Sequence, residues 1–558
     1  MDYNILIGGA AGQGMDTLAT VFSKILHKSG LCLFTLQDYM SRVRGGHNYY
    51  QIRFSDTFVK SHREDLDGII ALNQETLDLH IGRLKQDGFI LADENVTSKD
   101  SRLITIPAAL IAKEVGNVKT TSSVTLGFLC KLFSIESTFM GDIFSGMFAE
   151  SVAKQNIESF TRGQALTESK YKASKARPGK TMLVHGNHGI ALGALAAGLR
   201  FYSAYPMTPS TTIMSFLAKK AKAAKVIVEQ AEDEIAAIHM AIGASYTGVR
   251  AMTGTSGGGF SLMVEALGFA GIAEIPVVIA LIQRPGPATG LPTRTEQSDL
   301  MYAINASHGE FGRMVIALRN PEDAFYQTAR AFNIADKYQM PVILLGDQYL
   351  ADAVQTVKAF DIDKIKIERH LAEPKPYLNG KDYNRYELTQ SGISPRLIPG
   401  LVPGTAVNID SDEHDVHGNI TEAADVRNSM VEKRARKFER LKREVMEPEL
   451  LGDDSMDILL LGWGSIYSQL SEAVDILNQN SKRKYGALVF GDIWPFPQTT
   501  LIEKARIVKK IINVEQNHDG QLARLVREVT GIQMDGSVLR YDGHPLSPAE
   551  IARKVKEI

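Results

Sequence analysis

Five clusters in this sequence carry residue types that could do chemistry. Gly8-Gly9-Ala10-Ala11-Gly12-Gln13-Gly14 follows an apolar run and precedes the helix-period stretch MDTLATVFSKILHKSG. Such a loop aims backbone N–H groups and a helix dipole at an anion, which makes Gly12 and Gly14 candidate cofactor contacts. Gly12-x-Gly14-x-x-Thr17 only approximates the dinucleotide fingerprint, and a tight strand-to-helix turn without a ligand accounts for the glycines equally well. In Ser41-Arg42-Val43-Arg44-Gly45-Gly46-His47, Arg42 and Arg44 stand beside a Gly-Gly turn, an arrangement suited to phosphate; an exposed loop is the plain alternative.

Three clusters lie further along. Tyr205-Pro206-Met207-Thr208-Pro209-Ser210-Thr211-Thr212 ends a strand-like run with two prolines and opens a hydroxyl-rich helix start, which could offer donors to a carboxylate or keto oxygen or could merely cap the helix. Val228-Glu229-Gln230-Ala231-Glu232-Asp233-Glu234 gathers acids at a strand-to-helix junction, ordinarily a solvated, dipole-favoured position. The helix after it, IAAIHMAIGASYTG, is packed with Ala and Gly, so something can approach its start closely, and Glu234 is placed to meet a buried heterocycle; His239 reads as a core histidine. The loop from Gln283 to Gln297 follows the apolar strand IPVVIALI and is stiffened by three prolines. Open α/β sheets hold ligands at that edge, and Arg284 or Arg294 could pair with a substrate carboxylate while Thr293 bonds beside it.

The elements that must position these groups follow from periodicity. Residues 1–165 alternate short apolar runs (NILIG, GIIAL, GFILA, RLITIPA) with helix-period stretches, predicting βα units around a mostly parallel sheet. Residues 166–180, rich in Lys and Ser, read as a linker. A second α/β domain is expected over 181–350, with strands at VIVEQ, VRAMTG, IPVVIALI, MVIAL and MPVILL. Residues 351–454 form a connecting segment whose helix, NSMVEKRARKFERLKREV, is expected to present its charges to solvent. A third α/β unit over 455–558 begins at DILLLGWGS.

Composition sets bounds. At 558 residues the chain exceeds one core, and roughly 100–200 residues per domain give about three or four. With 44% hydrophobic residues, 23% charged residues and a net charge of -2, there is no electrostatic reason to expect nucleic acid or an anionic membrane. Cys32 and Cys130 are too few for an iron–sulfur cluster or four-thiolate zinc site, and both read as core residues. The start MDYNILIGGAAGQG has no basic leader and no apolar stretch is long enough to span a membrane, so a cytoplasmic location is the default expectation.

Taken together, GNHGIALGALAAGLRFYSAYPMTPSTT, EDEIAAIHMAIGASYTGVRAMTGTSGGG, QRPGPATGLPTRTEQSDL, DEHDVHGNITE…KRARK and VEQNHDGQLARLVRE resemble the α subunit of 2-oxoacid:ferredoxin oxidoreductases. GGAAGQGMD and SRVRGGHN resemble the family's γ subunit, here fused ahead of α; His188 departs from the pattern, since relatives often carry an acid after the Asn. The resemblance implies an α/β protein of three domains: a γ-type domain, a thiamin-diphosphate pyrimidine-binding domain and a transketolase C-terminal-like domain. It implies that Glu234, with Glu232 as fallback, hydrogen-bonds the aminopyrimidine of thiamin diphosphate, and that Thr208, Arg284 and Thr293 hold the 2-oxoacid, with Arg294 and Glu296 behind them. Arg42, Arg44 and the Gly12–Gly14 loop become candidates for coenzyme A. No metal ligand is assigned to this chain. The Gly-Asp-Gly…Asn-Asn pattern that carries Mg²⁺ and diphosphate is missing, Gly346-Asp347-Gln348 being a partial echo, so a β subunit is expected to bring the diphosphate site, Mg²⁺ and an iron–sulfur cluster. The implied reaction is oxidative decarboxylation of a 2-oxoacid, 2-oxoglutarate favoured, to acyl-CoA, CO₂ and reduced ferredoxin. A non-catalytic assembly subunit, or a thiamin enzyme linked to lipoamide or NAD, is the alternative.

Overall fold

The computed structural model describes residues 1–41, 46–173, 179–479 and 481–558. Apolar runs become strands and the helix-period stretches between them become helices, giving the expected three α/β sheets. In chain order, β1 (Asp2–Gly9), β2 (Cys32–Asp38), β3 (Asn48–Ser55), β4 (Leu66–Ala71), β5 (Leu84–Asp93), β6 (Leu103–Ile106) and β7 (Thr181–Val184) come first. Then follow β8 (Leu199–Ala204), β9 (Ile227–Gln230), β10 (Arg250–Thr255), β11 (Val277–Gln283), β12 (Met314–Ala317), β13 (Pro341–Asp347) and β14 (Val354–Lys358). The last are β15 (Glu449–Gly452), β16 (Ile458–Trp463), β17 (Tyr485–Phe490), β18 (Asp492–Trp494), β19 (Lys510–Glu515) and β20 (Gly536–Leu539).

The first sheet has the order β6-β5-β4-β1-β3-β2-β14-β7. It is parallel over β6, β5, β4 and β1, and antiparallel from β3 onward. The mostly parallel sheet expected from the sequence is therefore corrected. The link from Asp38 to Asn48 is too short for a crossover helix, so β3 returns antiparallel and inserts between β1 and β2. Strands β7 and β14, from either side of the second domain's sequence, close the same sheet. Cys32 and Cys130 are both buried here.

The second sheet runs β18-β12-β13-β11-β10-β8-β9 and is parallel except for β18. Every residue of β11 and β13 is buried, as central strands covered on both faces must be. The third sheet, β15-β17-β16-β19-β20, supplies β18 to the edge of the second through the turn after β17, and Arg330 fixes it by donating to both oxygens of Asp492 (2.6 and 2.7 Å). One apolar core, including Ile279, Leu281, Leu459, Trp463 and Phe490, runs through both sheets. Each fully buried side chain of this kind contributes about 1.5–3 kcal/mol. Residues 185–352, 360–546 and 550–558 accordingly form one compact unit, while 1–184, 353–359 and 547–549 form another.

The helix Ala424–Leu441 differs from its expectation as a solvated element. Lys433 and Lys437 are buried and both donate to Glu274, which is itself fully buried after the helix Gly257–Ile272. Burial opposes ionisation of Glu274, but the two ammonium groups outweigh it and hold the carboxyl well below the usual carboxylate range. Among the described residues no helix is long and apolar enough to cross a membrane.

Candidate active site

The parallel register of β8, β9, β10 and β11 brings the segments after their C-terminal ends to one edge of the second sheet. Those segments are the Tyr205–Ser210 turn, the acidic junction, the Ser256–Gly259 helix start and the Arg284–Gln297 loop. A crevice at this edge is the standard ligand position of an open α/β sheet.

Glu234 opens the helix Glu234–Tyr246, which Asp233 caps by accepting from the Ala236 N–H (2.7 Å). Capping fixes the first turn and turns Glu234 inward: it is 3% exposed, whereas Glu232 is exposed. Its Oε1 is buried with no hydrogen-bond partner among the described residues. Burial raises the pKa of its carboxyl, Asp233 adding to the effect. A β-carbon added at Gly259 would run into both Glu234 Oε1 and Thr255 Oγ1, so only glycine leaves room for the carboxylate there. His239 lies on the exposed face of the same helix and bonds its own Ile235 carbonyl, which corrects its reading as a core histidine.

Thr255 leads on to the turn after β8, its hydroxyl lying 3.8 Å from Met207 Sδ. Two groups hold that turn. Arg284 Nη1 donates to the Thr208 carbonyl (2.8 Å), and Asn187 Nδ2 donates to the Pro209 carbonyl (2.8 Å) and to Thr212 Oγ1 (2.7 Å). Thr208 and Arg284 are thus directly joined. Thr293 is buried in the loop that begins at Arg284, inside the Leu291–Arg294 turn and two residues before Thr295, whose hydroxyl accepts from the Tyr349 N–H (3.2 Å). Glu296 is half-buried, and its pKa is raised by burial.

The glycine loop of the first unit keeps the geometry its residues require. Gly12 (φ 93°) and Gly14 (φ 80°) both occupy the left-handed region. Gln13 folds back so that its Oε1 accepts from the Ala10 N–H (2.7 Å), and a β-carbon at Gly14 would meet Ser122 Oγ. Arg42 and Arg44 lie outside the described residues. Beneath the loop, His47 Nε2 and His80 Nε2 are 2.8 Å apart, and burial pushes His80 down to about 4.

Several site residues escaped the sequence reading. Asp299 has a buried Oδ2 with no partner beside Gly257, where a β-carbon would collide with it, and burial pushes its carboxyl up to about 6. Asn187 was legible only as a neighbour of His188, whose ring lies tilted against that of His185 (3.7 Å between ring centres) and is pushed down to about 4 by burial and Lys219. The Thr-Ser-Gly-Gly-Gly run after β10 is the signal that would have pointed to Thr255 and Gly259.

Three family models cover most of the chain: pyruvate ferredoxin/flavodoxin oxidoreductase over residues 4–166, the thiamine-diphosphate-binding part of pyruvate flavodoxin/ferredoxin oxidoreductase over 192–433, and core domain II of pyruvate:ferredoxin oxidoreductase over 456–551. The family matches therefore place the chain in the class of 2-oxoacid oxidoreductases with a thiamine-diphosphate-binding part. The 2-oxoacid:ferredoxin oxidoreductase subunit alpha of Sulfolobus sp is 32% identical over 98% of this chain and 95% of its own length. The 2-oxoglutarate oxidoreductase subunit KorA of Mycobacterium tuberculosis is 28% identical over 99% of this chain and 91% of its own. A solved structure, 2-oxoglutarate:ferredoxin oxidoreductase from Magnetococcus marinus with 2-oxoglutarate, coenzyme A and succinyl-CoA bound, superposes with a TM-score of 0.92 at 30% identity, covering 100% of this chain and 99% of that one. This chain belongs to the 2-oxoacid:ferredoxin oxidoreductase alpha-subunit family.

Proposed function

We propose that this chain, with a β subunit, catalyses coenzyme A-dependent oxidative decarboxylation of 2-oxoglutarate, with ferredoxin as electron acceptor. The observation that carries the reading is the buried, unpartnered Oε1 of Glu234 beside Gly259. A buried carboxylate oxygen without a donor costs about 1–3 kcal/mol or more, and a proton shared with an aminopyrimidine ring nitrogen, donated by the carboxyl or by the protonated ring, would satisfy it. The residues present fit the pyrimidine end of thiamin diphosphate, which when bound supplies a nucleophilic carbon and an electron sink for CO₂ loss. Glu234 would hold a proton at the pyrimidine nitrogen, burial having raised its pKa in the direction that favours the protonated carboxyl. Thr208, Arg284 and Thr293 would orient the 2-oxoacid, Arg284 by a charge-assisted pair with its carboxylate. Support for 2-oxoglutarate comes from the names of the Mycobacterium tuberculosis and Magnetococcus marinus relatives.

The division into 1–165, 181–350 and 455–558 then becomes one of labour, with 166–180 as linker and 351–454 as connection. The first part, through Gly12, Gly14, Arg42 and Arg44, is assigned to coenzyme A; the second to the pyrimidine and substrate; the third to support of the second. The partner would bring the diphosphate site, Mg²⁺, the iron–sulfur cluster and the route to ferredoxin. The test is a panel of 2-oxoacids given to the co-expressed complex with coenzyme A and a low-potential dye. Reduction with 2-oxoglutarate at the highest kcat/KM supports the reading. Preference for pyruvate or a branched-chain 2-oxoacid overturns the substrate, and NAD dependence overturns the acceptor.

A further inference from the structure

The motif Val514-Glu515-Gln516-Asn517-His518-Asp519-Gly520, where β19 ends, has no part in the chemistry above. It meets the substrate loop at Gln297, a fully buried residue whose four polar groups are all engaged. The Gln297 N–H donates to the Gln516 carbonyl (2.7 Å), and Gln297 Oε1 accepts from the Gln516 N–H (3.2 Å). Its Nε2 donates to the Trp463 carbonyl (2.8 Å), and its carbonyl accepts from Asn517 Nδ2 (3.0 Å). Gln297 thereby satisfies two strand-end carbonyls and an N–H that would otherwise be buried without partners.

The receiving turn is itself held. Glu515, fully buried, accepts from Trp463 Nε1 (2.9 Å), Asn513 Nδ2 (2.8 Å), Asn517 Nδ2 (2.8 Å) and the N–H groups of Leu522 (2.9 Å) and Ala523 (3.3 Å) at the start of the helix Gln521–Thr530. These donors and the positive helix end fix the carboxylate without a cation. Further bonds extend the junction: Thr295 N–H donates to the Gly543 carbonyl (3.1 Å), Gln521 Nε2 to the Ser298 carbonyl (2.6 Å), and Met301 N–H to Gln521 Oε1 (3.0 Å). The proximal part of the loop, Gly286–Gly290, is exposed and closes only on itself, through Leu291 N–H to the Pro285 carbonyl (3.1 Å).

We infer that Gln297 is a positioning residue through which the third sheet fixes Thr293 and Arg294 for the 2-oxoacid. The role rests on reading Thr293 as part of the substrate clamp. It gives the Glu515-Gln516-Asn517 motif a function at a distance from the reacting atoms, with Glu515 setting the turn and Gln297 transmitting its position to the loop.

The test uses the complete complex carrying Gln297→Ala, Thr293→Val and both together, with KM for the 2-oxoacid and for coenzyme A and the melting temperature read for each. Gln297→Ala is expected to raise the 2-oxoacid KM about tenfold, leaving the coenzyme A KM within about twofold, and to add less than about threefold in the Thr293→Val background. Parallel changes in both KM values, no change, or a fully multiplicative double variant overturns the inference. A silent Thr293→Val removes the clamp reading and the inference with it, whereas an active Thr293→Val with a silent Gln297→Ala overturns the inference and leaves the clamp standing. Should Gln297→Ala fail to fold, Gln297→Glu, which puts an acceptor oxygen in place of the amide that donates to the Trp463 carbonyl, must still shift the 2-oxoacid KM alone, and an unshifted value overturns the inference.

Discussion

Two buried glutamates in the second domain, Glu234 and Glu274, show how burial can serve opposite ends. Glu274 follows the helix Gly257–Ile272 and is gripped by Lys433 and Lys437, so its carboxyl stays ionised well below the usual range. Glu234 faces the other end of that helix with one oxygen unpartnered, and burial raises its pKa. The first carboxylate is consumed by the fold, tying the helix Ala424–Leu441 to the sheet. The second is left with one oxygen unpartnered among the described residues, open to an incoming group. Burial alone marks neither as functional; the state of the partners does.

Substitutions should separate the two. The largest effect is expected for Glu234→Gln, with turnover of the complex lowered about 10²–10⁴-fold in steady-state assays. Its melting temperature at pH 7.5 should not fall. A carboxyl with a raised folded-state pKa contributes stability below its unfolded pKa and loses it as pH rises through the folded value, so the neutral amide removes a cost at high pH. Glu274→Gln should instead destabilise by about 3–5 kcal/mol, read by denaturant unfolding, because two buried lysines lose their counter-charge. Arg284→Lys keeps the charge but loses the fork, and the 2-oxoacid KM should rise about tenfold with the thiamin diphosphate requirement unchanged. The last contrast is drawn at Asp299→Asn. With the folded carboxyl near 6, wild type should lose about 1–3 kcal/mol relative to this variant as pH rises from 4 to 7, and thermal melts across that range would show the two curves converging at the acid end.

Legibility in the sequence followed the physics of each element. Strands β10, β11 and β13 were readable because parallel strands buried on both faces are continuous apolar runs. Glu234 was readable as the acid opening an Ala- and Gly-rich helix. Its neighbours Thr255 and Gly259 were not, since they reach it only through the β10–β8–β9 register. Lys433 and Lys437 sat in a run with the period of a solvated helix, and their burial depends on a single carboxylate far away in sequence. The antiparallel half of the first sheet was not foreseen because alternating apolar runs say nothing of direction; the short link before β3 does. Gln297 gave no signal, because its four bonds are to backbone groups and to Asn517 in another sheet.

The central claim is that Glu234 serves the pyrimidine nitrogen and so controls the proton at thiazolium C2. Its most direct test is the rate of deuterium exchange at C2 of thiamin diphosphate bound to the complex, measured by quenched-flow NMR in wild type, Glu234→Gln and Glu232→Gln. Exchange about a hundredfold slower in Glu234→Gln, with Glu232→Gln at the wild-type rate, is the expected result. An unchanged rate in Glu234→Gln, or a loss confined to Glu232→Gln, would contradict the account.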